Sequence, residues 1–309
     1  MERGVNYPIM LCKVLNTALL LVGIIFSLGF SNEDGQEFQK KSIPFSESAV
    51  IVENDLKILS WNIKMLPLLQ GWFHNSVQRA EKIVQSLKIA EEYDIILFQE
   101  AFSGKTRKII FEGLKTIYPH QIPPKDQTIF YKTNSGLWVI SRTPISLIDE
   151  ISFSQLRNWD TFSSKGAKLY SVTKNQQEFY FINTHMQSDY KTKYNAVRTS
   201  QYTEINESLI LPNSKKGIPI ILCGDLNISK PRILKIMLEK LHLLNGPISG
   251  ELQFSTTGQY KEILDYILVK ADKFKFKSID RRIRDLSENM FEHPRLLSDH
   301  HAVEGIFKW

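Results

Sequence analysis

The sequence predicts an α/β fold, formed by one domain that runs from Leu56 to Trp309. Short apolar runs typical of buried strands recur along this stretch, and segments with apolar residues at helical spacing separate several of them. No internal repeat, glycine-rich phosphate loop or low-complexity tract interrupts the pattern. The length suits one large domain. We therefore expect strands alternating with helices, and functional side chains on the loops at strand ends.

Each predicted element has a local signal in the sequence. Val77 to Ala90 repeats apolar residues at helical spacing after Asn75-Ser76, a suitable cap. A second helix is predicted near Tyr194–Ile210, and a third opens at Ser229 with Pro231 in its first turn. The predicted strands are Leu56–Asn62, Asp94–Glu100, Leu137–Ser141, Leu169–Val172, Phe179–His185, Ile218–Cys223, Leu264–Val269, Phe274–Ile279 and Ala302–Phe307.

The first 55 residues differ from the rest. Residues 1–31 combine basic residues, an apolar run and small residues near its end, which is typical of a cleaved export signal. The alternative is an uncleaved anchor, because the run approaches the roughly 18–20 apolar residues that span a bilayer. Residues 32–55 are polar and predict a tether, followed by the domain at 56–309. The sequence thus predicts a secreted protein, or a membrane-anchored one.

Composition and charge set broad bounds. A hydrophobic fraction of 42% and a charged fraction of 23% are ordinary for a folded soluble protein. The net charge of +6 favours approach to anionic surfaces without identifying one. If the signal is removed, Cys223 is the one cysteine left, so no internal disulfide can form. Its apolar strand favours a packing role over a catalytic one.

Polar residues suited to phosphodiester chemistry end or interrupt the apolar runs. One such group alone would be weak, since short polar motifs arise by chance, but six occur in order beside predicted strands. Their placement predicts an active site. The segments are Trp61-Asn62, Gln99-Glu100, Thr184-His185-Met186-Gln187, Gly224-Asp225-Leu226-Asn227, Leu264-Asp265-Tyr266 and Ser298-Asp299-His300-His301.

In this order, these segments resemble the endonuclease/exonuclease/phosphatase superfamily with its DNase I-like fold. The resemblance covers the chain from Leu56 to Trp309. It implies a four-layer α/β sandwich, in which two packed mixed β-sheets are flanked by helices. Within the superfamily, the chain is most similar to secreted bacterial neutral sphingomyelinases. The segments that carry this second resemblance are Asn183–Ser188, Asn134–Ile145 and the loop Asp160–Gly166.

The resemblance implies a site for one hard divalent cation. Glu100 would supply a carboxylate oxygen with Asn62 beside it, and few protein ligands with several waters suit Mg²⁺, although other divalent cations are compatible. Asp299 is expected near the metal. Without the other motifs, Glu100 would be a solvated strand-end residue, and Asn62 a turn residue that bonds its own backbone.

His300 is the candidate general base, because its ordinary pKa allows it to take a proton from water near neutral pH. A carboxylate would orient it, and either Asp265 or Asp299 could do so. His301 is expected to face away, since a strand starts there. His185 would donate to a phosphate oxygen or to the leaving alkoxide; its alternative role is to bond strand-end backbone.

The remaining predicted site residues would position water and substrate. Asp225 and Asn227 alternate about Leu226, so both face the phosphate, Asp225 orienting water and Asn227 donating to phosphoryl oxygens. A tight turn with side chains bonding backbone is the alternative. Gln187 and Lys165 are predicted to contact substrate, although Lys165 could equally be a solvated lysine.

Together, these residues predict a Mg²⁺-dependent phosphodiesterase in which water attacks in line. The resemblance implies sphingomyelin as substrate, ceramide and phosphocholine as products, a phospholipid membrane surface as partner, and a monomer. A secreted nuclease of the same superfamily is the second hypothesis, and a non-catalytic surface-binding module is the third. The apolar segment from Leu66 to Phe73 would contact a bilayer or pack under the sheet.

Overall fold

A computed structural model of the chain describes residues 54–66, 75–90, 93–125, 132–188, 192–257, 261–287 and 297–309. The predicted export signal and nearly all of the predicted tether lie outside these residues. The apolar segment that follows Leu66 also lies outside them.

In the described ranges, eleven strands and five α-helices follow one another along the chain. The strands are β1 Asp55–Met65, β2 Ile95–Ala101, β3 His120–Ile122, β4 Trp138–Ser141, β5 Ile145–Ser152, β6 Gly166–Lys174, β7 Gln177–His185, β8 Ile220–Asp225, β9 Asp265–Lys270, β10 Ser278–Arg284 and β11 Ala302–Lys308. The helices are α1 Ser76–Ile89, α2 Gly104–Leu114, α3 Asn195–Ile205, α4 Leu211–Ser214 and α5 Pro231–Leu241. A π-helical turn, Asn206–Ile210, joins α3 to α4, and a 3-10 helix spans Asn158–Phe162.

The strands form two mixed sheets. The first has six strands in the order β10-β11-β1-β2-β4-β3, and the second has five in the order β5-β6-β7-β8-β9. The pairs β1–β2 and β7–β8 are parallel, and the other strand pairs are antiparallel. Both parallel pairs therefore point their carboxyl ends at one edge of their sheet, where loops can carry a site.

The two sheets pack face to face with helices outside, which confirms the predicted four-layer α/β sandwich. Residues of both sheets form the central core, including Ile58 of β1 and Phe181 of β7. A second core lies between the first sheet and helices α1 and α2, and a third between the second sheet and helices α3 and α5. The four longer helices, α1, α2, α3 and α5, each bury an apolar stripe against a sheet.

Most predicted elements are confirmed, and their observed ends differ from the predicted ends by a few residues. Helix α1 buries Ala80, Ile83, Val84 and Leu87, four of the residues at the predicted helical spacing. Helix α5 starts at Pro231 after the cap residue Lys230, slightly later than predicted from Ser229. The predictions missed β3, β5 and α2, although Ser103 accepts a capping bond from the Thr106 amide.

The predicted strand Phe274–Ile279 is wrong over its first four of six residues, because β10 starts at Ser278. Phe274 and Phe276 do not alternate across a sheet face. Both pack around Phe179, with ring centroids 6.0 and 6.3 Å away, and they contact each other at 4.8 Å. Aromatic packing at the end of the central core therefore explains why aromatic and polar residues alternate in the sequence here.

Residues 51–309 form a compact unit. All three cores are built from residues between Leu56 and Phe307, so we expect this unit to fold without the preceding segment. Among the described residues, no helix combines the length and the apolar character needed to cross a bilayer.

Candidate active site

The predicted site residues meet at one end of the two sheets. Asn62 of β1 lies beside Gln99 in the parallel register of the first sheet, and His185 lies beside Asp225 in that of the second. Asp265, the first residue of β9, lies opposite Asp225. The carboxyl ends of two parallel pairs and the start of an antiparallel strand therefore bring these polar groups together.

Gly224 is required immediately before Asp225. Its φ is +143°, and a Cβ atom there would lie 1.9 Å from the Thr184 carbonyl oxygen. No side chain fits so close to a backbone oxygen, so the strand can approach its neighbour only at glycine. The Gly-Asp-x-Asn motif therefore combines a packing requirement with the residues that carry the chemistry.

Several residues of the site have left-handed backbone conformations. Glu100 has a φ of 51°, Asn227 one of 52° and Lys64 one of 48°. Such values are uncommon for residues other than glycine, least so for asparagine. Each costs stability and persists when the surrounding structure holds it. At Glu100, this conformation coincides with a register shift between β1 and β2, after Asn62.

His300 and Asp265 form the shortest contact between predicted catalytic groups. His300 Nδ1 lies 2.7 Å from Asp265 Oδ2, and His300 Nε2 lies 3.8 Å from Asp225 Oδ2. The Asp265 amide donates to Ser255 Oγ at 3.1 Å, which fixes the aspartate. A proton on Nδ1 leaves Nε2 free to accept one. The structure thus identifies Asp265 as the carboxylate that orients His300, a choice the sequence left open.

Burial and neighbouring carboxylates shift the pKa values of His300 and Asp225. Burial alone would lower the pKa of His300, but the charge and hydrogen bond of Asp265, with the charge of Asp225, raise it above its ordinary value. Burial, together with the nearby Asp265 carboxylate, raises the pKa of Asp225. These carboxylates therefore favour the protonated ring of His300, which is the product of general base catalysis. The neutral ring that starts the reaction becomes more populated as the pH rises.

His185 faces the same oxygen of Asp225, with its Nε2 3.6 Å from Asp225 Oδ2 and 2.9 Å from Lys165 Nζ. Burial, the Lys165 ammonium and His300 together lower the pKa of His185 well below its ordinary value. The ring is therefore neutral, and its Nε2 can accept a hydrogen bond from Lys165. Its Nδ1 is buried with no hydrogen-bond partner in the described part of the chain.

Lys165 is buried, so the alternative of a solvated lysine is wrong. Besides His185, its ammonium contacts Asp160 Oδ1 at 3.0 Å and the Met186 carbonyl oxygen at 3.1 Å. These three acceptors match its three donors. Asp160, which the sequence offered as part of a loop motif without a role of its own, also accepts from the amide and hydroxyl of Ser188.

Asn62 and Glu100 form the oxygen-rich part of the site. The buried Asn62 amide donates to Glu100 Oε1 at 3.0 Å and to Asp225 Oδ2 at 3.1 Å, so it lies between two carboxylates. Its Oδ1 accepts from the Lys64 backbone amide at 3.1 Å, the turn that the sequence offered as an alternative, so rotation of this amide toward the carboxylates would require that bond to open. A carboxylate oxygen and an amide oxygen are ligands that Mg²⁺ prefers. These residues therefore fit a hard divalent cation.

A second group could also hold a metal ion. Ligand atoms of Asp225, Asp265 and His300 lie within 4.8 Å of one another. The hydrogen bond between His300 and Asp265 already uses two of these atoms, and Mg²⁺ prefers oxygen to imidazole nitrogen. We therefore regard this group as the proton-transfer part of the site, and Glu100 with Asn62 as the metal-binding part.

Asp299, predicted near the metal, pairs with Lys64. Its Oδ2 lies 2.5 Å from Lys64 Nζ, and its side chain is 47% exposed. Lys64 follows Asn62 by two residues, and no feature of the sequence indicated this pair. A cation at Asp299 would have to displace the ammonium, so its metal role stays a prediction. His301 points elsewhere, with its Nδ1 3.9 Å from Asp285.

Asn227 and Gln187 hold backbone around the site. The Asn227 amide group donates to the Met186 carbonyl oxygen at 3.2 Å, and its backbone amide donates to Asp225 Oδ1 at 3.0 Å, the turn that the sequence offered as an alternative. Gln187 is buried and exchanges hydrogen bonds with the Arg157 backbone. The predicted substrate contacts of both side chains stay predictions.

Comparisons with known proteins agree with this architecture. The profile of the Endonuclease/Exonuclease/phosphatase family matches residues 59–300. A sphingomyelinase C from Leptospira interrogans is 28% identical over 305 residues, which cover 86% of this chain and 54% of that protein. This chain thus spans about half the length of that relative. A phospholipase C from Staphylococcus aureus is 28% identical over 252 residues, 71% of this chain and 75% of that protein.

Solved structures share the fold. A Staphylococcus aureus beta toxin variant with bound magnesium ions has a TM-score of 0.69 at 23% identity, covering 82% of this chain and 99% of that one. Sphingomyelinase C from Streptomyces griseocarneus has a TM-score of 0.68 at 19% identity, covering 82% of this chain and 99% of that one.

Proposed function

This chain belongs to the endonuclease/exonuclease/phosphatase family, and on that premise we propose that it is a Mg²⁺-dependent phosphodiesterase that hydrolyses sphingomyelin to ceramide and phosphocholine. The observation that carries the proposal is the hydrogen bond between His300 and Asp265, which leaves the second ring nitrogen of His300 facing Asp225. A base oriented by one carboxylate beside another buried carboxylate is suited to activating water.

His300 takes a proton from the attacking water at Nε2, while Asp265 holds Nδ1 and stabilises the ring as it becomes charged. Asp225, whose Oδ2 lies within 4 Å of both His300 and His185, orients that water between them. The arrangement resembles other catalytic sites in which a carboxylate fixes the tautomer of a histidine base.

His185 faces the same Asp225 oxygen as His300, and Lys165 contacts His185. The neutral ring accepts a hydrogen bond from the Lys165 ammonium at Nε2, so the pair places positive charge beside the position where we expect the phosphoryl group and the leaving alkoxide. Because the donors of Lys165 are committed to His185, Asp160 and Met186, we assign Lys165 a positioning role through His185. Direct phosphate contact would require one of these bonds to open.

Glu100 and Asn62 would hold the magnesium ion through oxygen atoms. When bound, the ion neutralises negative charge on the phosphoryl oxygens and polarises the phosphorus centre. The Asn62 amide donates to both Glu100 and Asp225 and so holds these two carboxylates close together.

Relatives support lipid as the substrate class. The sphingomyelinase C from Leptospira interrogans matches 86% of this chain, and the phospholipase C from Staphylococcus aureus matches 71%. We further propose that the chain acts outside the cell as a monomer, after removal of residues 1–31. Its export-type segment supports this proposal.

The test uses the unit from Ile51 to Trp309, which contains all three cores. It would be incubated with sphingomyelin vesicles and, separately, with plasmid DNA, each with Mg²⁺ and with EDTA. We expect phosphocholine release that requires Mg²⁺, with the DNA intact. DNA nicking without phosphocholine release would contradict the lipid substrate and favour a nuclease.

The variant His300→Ala separates enzyme from binding module. Loss of phosphocholine release with an unchanged melting temperature is expected of an enzyme. An unaltered effect on vesicles in this variant would instead favour a non-catalytic surface-binding module.

A further inference from the structure

Two aromatic side chains lie exposed on the loop between β5 and β6. Trp159 is 81% exposed, which is more than any other large hydrophobic residue in the described ranges, and Phe162 is 49% exposed. Their ring centroids are 6.0 Å apart. Single exposed apolar residues are ordinary, but a tryptophan this exposed beside a second aromatic ring forms a patch. We call these two residues the aromatic pair.

The aromatic pair lies on a short helix that contacts link to the site. Both residues belong to the 3-10 helix Asn158–Phe162, in which Asp160 is buried. Asp160 pairs with Lys165 at 3.0 Å, and Lys165 contacts His185 at 2.9 Å. The Phe162 carbonyl oxygen also accepts a hydrogen bond from the Thr133 amide. Trp159 is therefore one residue away from a side chain that is linked to the catalytic groups.

The charges around the aromatic pair favour a phospholipid surface. Arg157 is exposed beside Trp159, whereas Asp160, the one acidic residue in this helix, is buried in its pair with Lys165. The exposed part of the segment thus offers two aromatic rings and the Arg157 guanidinium, whereas its one carboxylate is buried. Tryptophan prefers the boundary between headgroups and acyl chains, and arginine pairs with phosphate.

We propose that Trp159 and Phe162 form an interfacial anchor, which inserts into the headgroup region of a zwitterionic phospholipid bilayer and brings a lipid phosphodiester to the His185 side of the site. The inference rests on the proposed lipid phosphodiesterase function, and it identifies the surface by which that site reaches its substrate. Two side chains bury little apolar area, so the binding is weak and reversible, as an enzyme that moves between lipids requires.

The experiment compares two double variants of the unit from Ile51 to Trp309. The first carries Trp159→Ala and Phe162→Ala. The control carries Ile89→Ala and Leu244→Ala, which removes two apolar side chains that are 66% and 67% exposed. Ile89 ends α1 shortly before β2 begins, and Leu244 exchanges hydrogen bonds with Val269 near the far end of β9, so both lie away from the site end of the sheets.

Vesicle binding is measured by sedimentation with sphingomyelin and phosphatidylcholine vesicles in EDTA, so that hydrolysis does not contribute. We expect the Trp159/Phe162 double variant to partition at least about tenfold less than the parent, from the apolar area that the two rings bury, whereas the control stays within about twofold. Hydrolysis of vesicle sphingomyelin in Mg²⁺ should fall by a similar factor.

A water-soluble diester, p-nitrophenylphosphocholine, provides the second readout. Its kcat/KM should be unchanged in the double variant, because no membrane is involved. Unchanged vesicle partitioning would overturn the anchor. Equal losses on vesicles and on the soluble diester would also overturn it, since they would indicate damage to the Asp160 loop. If the parent hydrolysed neither substrate, the proposed function would fail separately, because binding in EDTA needs no catalysis.

Discussion

Replacement of Asp265 by asparagine tests whether its charge, rather than its shape, makes His300 a base. Asp265 Oδ1 is buried with no hydrogen-bond partner among the described residues, so an asparagine can turn its oxygen toward His300 Nδ1 and keep the 2.7 Å contact. What is lost is the negative charge that stabilises the protonated ring. A hydrogen bond to a charged group contributes about 1.5–3 kcal/mol. At about 1.4 kcal/mol for each factor of ten in rate, Asp265→Asn should lower kcat by about 10- to 100-fold.

The assay is steady-state hydrolysis of p-nitrophenylphosphocholine at saturating Mg²⁺, with melting temperatures measured in parallel. Asp285→Asn is the matched control, because Asp285 lies 3.9 Å from His301, the neighbouring histidine, and outside the catalytic cluster. We expect kcat to fall in the Asp265 variant with KM nearly unchanged, and to stay constant in the Asp285 variant. A parental kcat for Asp265→Asn, or an equal loss in the control, would refute the assignment of Asp265 as the partner of the base.

Three further changes test the metal-binding part, a surface ion pair and the backbone. Glu100→Gln should raise the Mg²⁺ concentration for half-maximal activity by at least about tenfold, and an unchanged Mg²⁺ titration would argue against a ligand role. Lys64→Gln should change the free energy of unfolding by less than about 1 kcal/mol, since the ion pair with Asp299 is partly exposed. A larger decrease in the free energy of unfolding, measured with urea, would contradict this prediction. Gly224→Ala should destabilise the fold by more than about 3 kcal/mol, because its Cβ would meet backbone. Gly104→Ala is the control and should be tolerated, since its added Cβ comes no closer than 3.6 Å to a neighbour. Similar melting temperatures for the two variants would be inconsistent with the close approach at Gly224.

The sequence predicted much of this architecture because strand ends are local features. Polar residues such as Glu100 and His185 stand directly after apolar runs, and the ends of parallel strands meet at one edge of a sheet. That reasoning placed Asn62, Asp225 and Asp265 at the same site, where the structure brings them together. The layered sandwich came from the resemblance, since periodicity alone indicates only a mixed fold.

The remaining features depend on distances across the fold. Asp265 and Asp299 are both plausible partners of His300 in the sequence, and only the packing of β9 against β8 shows which one reaches Nδ1. Lys64 pairs with a residue 235 positions away, so no local pattern could reveal the pair. At Phe274, a strand-like alternation arises from packing around one aromatic ring, which mimics the period of a sheet.

The left-handed backbone at Glu100 and Asn227 has a consequence for how this protein can change over generations. Residues held at φ near +50° reduce the stability of the fold by about 1 kcal/mol or more each, and glycine would relieve that cost. A laboratory evolution experiment that selects survivors of heating, without selecting for turnover, should therefore substitute these positions early. Lineages that must keep their activity would instead gain heat resistance elsewhere, and these two positions would stay unchanged between them.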